Sequence, residues 1–167
     1  MCIRDRNIPD SVTSIGEHAF FGCTSLNSVS SSGSVTSIGE GAFKECTGLV
    51  SLTMNGNMDR VSSFTIGDEA FFKNSRLVTV ILPNANDTVI GTNAFALCRK
   101  LRSIVFEGLL VSRSLTIYHR AFLRCAALQD FRISAKTIVV RDSSVFEGCE
   151  SLSSLQIPKK SINVDLT

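Results

Sequence analysis

Apolar residues along this chain return at fixed offsets rather than in blocks. The pattern Ile-x-x-x-Ala-Phe-x-x-Cys-x-x-Leu-x-x-Val starts at Ile15 and runs through Ala19, Phe20, Cys23, Leu26 and Val29. It returns around Phe43, Phe71, Phe95 and Phe122, and more loosely around Phe146, where one extra residue separates Val140 from Val145. The period is 23 to 28 residues, which marks a solenoid whose units bury their apolar faces only against their neighbours. After each Leu the polarity alternates. In Leu49-Val50-Ser51-Leu52-Thr53-Met54, Leu52 and Met54 share one side and Ser51 and Thr53 the other, as in a strand with one buried face. The same register gives an inward column of Met54, Leu82, Phe106, Ile133 and Ile157. A second short strand precedes the Ile, as in Val12-Thr13-Ser14-Ile15. Gly16, Gly39, Gly67 and Gly91 follow that Ile and suit a sharp turn, positive φ included. The Ala-Phe-x-x-Cys stretch is too short for a stable helix alone and predicts a single helical or 3₁₀ turn pinned by Phe burial. The fold class is therefore an α/β to mainly-β repeat solenoid of about six repeats.

Stacked in register, six coils would form a rod ~25–30 Å long, with equivalent strands ~4.8 Å apart. The period varies through inserts at 55–60, 84–87 and 107–114, between the second half of one unit and the first strand of the next. Inserts confined to one place per coil become loops on one face. The outward positions of the main strands read Ser28, Ser51, Thr79, Ser103, Asp130, Ser154 in one column and Ser30, Thr53, Ile81, Val105, Arg132, Gln156 in the next. Hydroxyls interspersed with Ile81 and Val105 offer a shallow surface for a protein or glycan. They serve equally to keep a parallel sheet soluble. The candidate binding residues are Ser51, Thr53, Thr79, Ile81, Ser103, Val105, Asp130 and Arg132.

Composition adds limits. The chain has 167 residues, 44% of them hydrophobic, enough for one domain with a core. A net charge of +2 provides no strong pull toward nucleic acid or an anionic membrane, and no apolar run approaches a membrane span. Residues 1–83 carry 6 Lys/Arg against 8 Asp/Glu and residues 84–167 carry 11 against 7, so the second half is the basic one. Arg99, Lys100, Arg102, Arg120, Arg124 and Arg132 form a positive group that suits an acidic partner or simply a solvated face.

The segment Ile8-Pro9-Asp10-Ser11-Val12-Thr13-Ser14-Ile15-Gly16-Glu17-His18-Ala19-Phe20-Phe21-Gly22-Cys23-Thr24-Ser25-Leu26 closely resembles the consensus of BspA-like leucine-rich repeats. The resemblance implies a right-handed leucine-rich repeat solenoid of parallel β-strands with short helical or 3₁₀ turns. It also implies an extracellular or cell-surface setting, adhesion or protein binding, and no shared catalytic motif. Residues 1–7 match no repeat position and read as a non-native leader; 8–158 hold six repeats; 159–167 resemble the start of a truncated seventh. Without signal or capping sequence, the chain reads as a fragment whose other partners would be repeats of the same parent chain.

Candidate chemistry changes this little. Cys23, Cys46, Cys98, Cys125 and Cys149 share one repeat position, which Asn74 takes in the third unit, while Cys2 stands apart. Spacings of 23 residues or more are not those of a metal site, and no metal or cofactor is expected. Neighbouring coils lie within disulfide range, so occasional pairing stays open beside a reduced ladder of small side chains facing backbone groups. His18 and His119 have no recurring carboxylate or cysteine beside them and read as exposed. Asn86-Asp87-Thr88 is a glycosylation sequon in an expected loop. The reading is a non-catalytic protein- or glycan-binding scaffold; the alternative is a spacer or targeting segment of a larger enzyme or receptor.

Overall fold

The computed structural model describes residues 4–31, 33–55, 63–83, 85–107, 112–131, 135–153 and 162–164. Two parallel sheets run the length of a solenoid. One, sheet A, stacks β1 (Asp5–Ile8), β3 (Ser28–Ser31), β5 (Ser51–Met54), β7 (Thr79–Pro83), β9 (Ser103–Glu107) and β11 (Asp130–Phe131) in that order. The other, sheet B, stacks β2 (Ser14–Ile15), β4 (Ser37–Ile38), β6 (Ser63–Ile66), β8 (Asp87–Ile90), β10 (Ser112–Ile117), β12 (Ala135–Val140) and β13 (Ile162–Val164). Each strand pairs with its equivalent one coil away, as in Ser51↔Thr79 and Thr79↔Ser103. Asp5, Arg6 and Asn7 extend sheet A as part of β1. Asp87 and residues 112–114 belong to strands rather than inserts, and 56–62, 84 and 108–111 lie outside the described residues.

The alternation read from the sequence places the core. Leu52, Val80 and Ile104 are fully buried, and the inward column continues through Met54 and Leu82, with Phe106 packed at its edge. Ile133 and Ile157 lie outside the described residues. On sheet B one inward column is Phe64, Thr88, Leu115 and Ile138 and the other is Ile38, Ile66, Ile90 and Ile117. A further column closes the core. The Phe20, Phe43, Phe71, Phe95, Phe122 and Phe146 rings stack with centroids 4.9–5.4 Å apart and planes within 7° of parallel. That spacing matches the rise of the strands, so each ring fills one coil and stacks on the rings above and below, and Phe131 meets Phe122 and Phe146 edge-on.

The turn carrying the Phe is not the helical or 3₁₀ turn expected from its length, and no helix occurs among the described residues. Residues two before each Phe are left-handed in five coils: His18, Gly41, Glu69, Asn93 and Arg120, at φ 52–56°. Residues two after it are left-handed in all six: Gly22, Glu45, Lys73, Leu97, Arg124 and Gly148. Two such residues four positions apart prevent any helical run. The compensation is hydrogen bonding in two directions. In the third coil, Glu69, Phe71 and Lys73 donate their N–H groups to the next coil's Thr92, Ala94 and Ala96, at 2.7–2.9 Å. Alternating with them, Ala70, Phe72 and Asn74 donate back to residues three earlier, so each N–H from Glu69 to Asn74 has a partner.

The glycines after the Ile have a different reason from the one expected. None of Gly16, Gly39, Gly67 and Gly91 is at positive φ. A Cβ on Gly39 or Gly67 would lie 2.7 Å from a backbone nitrogen of the preceding coil, Glu17 or Glu40. The small residue lets the coil close onto its neighbour, where Gly39 and Gly67 each donate a 2.8 Å bond to an Ile carbonyl.

Candidate functional site

The cysteine position resolves into a ladder of thiols on carbonyls. Cys46 donates to the Phe20 carbonyl at 2.9 Å, and Cys98, Cys125 and Cys149 donate to those of Phe71, Phe95 and Phe122 at 3.1 Å. These four are free thiols. Burial pushes Cys46 and Cys149 up to about 11 and Cys98 to about 12, which removes thiolate character. Cys23, in the first coil, departs from the reduced ladder and is disulfide-bonded. Asn74 departs as well. Its amide is fully buried, and neither Oδ1 nor Nδ2 has a partner. In the other coils the slot presents one carbonyl, enough for a single S–H but not for an amide with two donors and an acceptor.

His119 is not the isolated exposed histidine expected from its sequence surroundings. Its Nδ1 lies 2.7 Å from Asp142 Oδ2 in the next coil and 3.4 Å from Ser144 Oγ. Register pairs Ile117 with Val140, so Asp142 stands at the same offset as His119, one coil on. The Ser144 hydroxyl and backbone N–H, then the His119 ring, hold the Asp142 carboxyl down at about 2. Serine, histidine and aspartate meet here in the wrong order for nucleophilic catalysis. Both partners address one ring nitrogen, whereas a triad uses the two nitrogens on opposite sides. His18 is exposed and lies against Phe21, with ring centroids 5.8 Å apart. The sequon straddles the start of β8: Asn86 lies in the exposed bend before it, whereas Asp87 and Thr88 belong to the strand and Thr88 is 1% exposed with its hydroxyl turned into the core.

The outward face of sheet A is built as two straight columns. Register aligns Ser51, Thr79, Ser103 and Asp130 in one, and Thr53, Ile81 and Val105 in the other. Ser51, Thr53, Thr79, Ile81 and Ser103 are half-buried, Asp130 is exposed, and Val105 is 43% exposed. Arg132, Ser154 and Gln156 lie outside the described residues. The columns begin at Asp5 and Asn7 of β1, which accept hydrogen bonds from Ser28 Oγ (2.7 Å) and Ser30 Oγ (3.3 Å). The basic group is divided between two places: Arg99, Lys100 and Arg102 lead into β9, while Arg120 and Arg124 sit on the Phe turn.

Beside the first strands of this face lies a polar cleft of about 460 Å³, lined by Arg4, Asp5, Thr24, Ser25, Asn27, Gly48 and Arg76. Sequence reasoning missed it because its walls come from three coils and from Arg4 and Asp5, a segment read as a leader although Asp5 pairs in register with Ser28. Gly48 was the available signal. A Cβ there would lie 2.1 Å from the Thr24 carbonyl oxygen, so the second coil has no side chain at this place and the cleft opens over bare backbone.

Comparison with known proteins bears on both fold and setting. A family model described as BspA type leucine-rich repeat region, in six copies, matches residues 2–113 and 64–165. No curated protein matches the chain. The fold is similar to that of a leucine-rich cell surface protein from Faecalibacterium prausnitzii, at 29% identity and a TM-score of 0.66, over 98% of this chain and 39% of that one. A leucine-rich repeat protein from Eubacterium ventriosum matches at 23% identity and TM-score 0.64, over 93% and 45% respectively. The Treponema pallidum (T. pallidum) leucine-rich repeat protein matches at 22% and 0.57, over 89% and 78%. The chain thus spans less than half the length of the first two.

Proposed function

Because the chain belongs to the BspA-type leucine-rich repeat family, we propose that it is a non-catalytic scaffold recognising a protein or glycan, within a cell-surface or secreted adhesion-type protein. The observation that carries this reading is the outward face of sheet A. Ser51, Thr53, Thr79, Ile81, Ser103, Val105 and Asp130 form a regular, accessible surface whose side chains vary in polarity and charge from coil to coil, while Leu52, Val80, Ile104 and Phe131 on the inward side stay apolar and buried. A rigid surface of hydroxyls with a few apolar members can bind without ordering itself first. The surface setting is supported by the similarity to the Faecalibacterium prausnitzii protein described as a cell surface protein. The non-catalytic part is supported by His119, whose hydrogen bonds hold it as a structural group between coils.

Surface plasmon resonance of the whole chain against immobilised extracellular-matrix proteins and glycans tests the proposal. Saturable binding to at least one is the expected result. No binding to any of them would overturn it.

A further inference from the structure

We infer that the polar cleft at the start of sheet A is a subsite for an acidic sugar, a hexose unit bearing a carboxylate. The inference rests on the recognition-scaffold reading and names the chemistry that one end of that surface would select. Arg4 and Arg76 line the cleft, and among the described residues neither is within ion-pair distance of a carboxylate. Two unneutralised guanidiniums on one concavity of about 460 Å³ favour an anion, and their planar donors match a carboxylate. The remaining walls favour a sugar over a bare ion. Thr24 and Ser25 bring hydroxyls, Asn27 an amide and Asp5 a carboxylate, a mixture that both donates to and accepts from a ring of hydroxyls. Asp5 would repel an isolated phosphate or sulfate, whereas it accepts well from a hydroxyl.

Charge along the same rim has the right sign to continue the contact. The turns leading into β7 and β9 carry Arg76, Arg99, Lys100 and Arg102, all exposed, with no carboxylate among them. An acidic peptide is the competing ligand, and the cleft suits it less. No apolar side chain lines it to anchor a residue of a bound peptide.

Isothermal titration of the whole chain with a glucuronate-containing tetrasaccharide, its carboxyl-reduced neutral counterpart and a glutamate-rich peptide tests this. The glucuronate sugar should bind about ten-fold or more tightly than the neutral one, the ratio expected for charge-assisted hydrogen bonds. Arg76→Ala should abolish that preference, Arg76→Lys should restore only part of it, and Arg141→Ala, after β12 and outside the cleft and its rim, should leave it intact. Arg76 is exposed, so these variants keep the fold, and their melting curves verify it. Equal binding of acidic and neutral sugars, tighter binding of the peptide, or an unchanged Arg76→Ala variant would overturn the inference. Loss of the sugar preference beside intact macromolecular binding on sheet A defeats the subsite alone; absence of all binding defeats the scaffold reading too.

Discussion

The Phe turn and the outward face of sheet A lie in the same coils and obey opposite rules. On the turn, one position is Phe in all six coils and another is Cys in five, and Phe43, Phe71, Phe95 and Phe122 are 0% exposed. On the face, the column through Thr53 passes from hydroxyl to Ile81 and Val105, and the column through Ser51 ends at Asp130. The difference shows where the stack's free energy resides. A ring or thiol that must fit its copies above and below admits one residue type. A side chain that meets solvent admits many and is free to serve recognition.

The largest effect should come from breaking the turn. Phe95→Ala removes a ring stacked between Phe71 and Phe122 and should cost about 3–5 kcal/mol in denaturant unfolding. Repairing the one defective rung should act in the other direction. Asn74→Cys replaces a buried amide without partners by the thiol that the Phe43 carbonyl can accept, and should stabilise by about 1–3 kcal/mol.

The thiol ladder adds a pH dependence. Burial raises Cys46 and Cys149 to about 11 and Cys98 to about 12 in the folded state, above the ordinary 9.0. Their contribution is therefore complete below pH 9 and is lost as pH rises through 11 to 12. Thermal unfolding between pH 8 and pH 11 should show a falling Tm. A Cys98→Ala variant, though less stable at pH 8, should show a shallower fall. A smaller gain is expected at the left-handed positions. Exposed Arg124 sits at φ 56°, where Gly148 stands in the next coil, and Arg124→Gly should stabilise by about 1 kcal/mol or less in the same assay.

How far the sequence could be read follows the same division. The Phe, Cys and Leu columns were legible because a repeated apolar residue has one physical meaning in a stack. The turn geometry was not, because Glu45, Lys73, Leu97 and Arg124 hold left-handed backbone without a glycine to announce it. The glycines after the Ile were noticed for the wrong reason, since crowding between coils leaves the same mark as positive φ. Of the candidate site, the two outward columns were legible from alternation alone. The cleft and the His119–Asp142 pair were not: the first draws on Arg4 and Asp5, a segment read as a leader, and the second appears only once strand register stacks Asp142 on His119.

The most direct test is a paired measurement on Ser51→Arg/Thr79→Arg, which places two long cations in the middle of the outward face. The ligand identified for the parent chain should no longer bind, while Tm should stay near the parent value, because surface substitutions away from packed features usually fall within about 0.5 kcal/mol each. Retained binding at parental affinity would contradict the account and move recognition off sheet A.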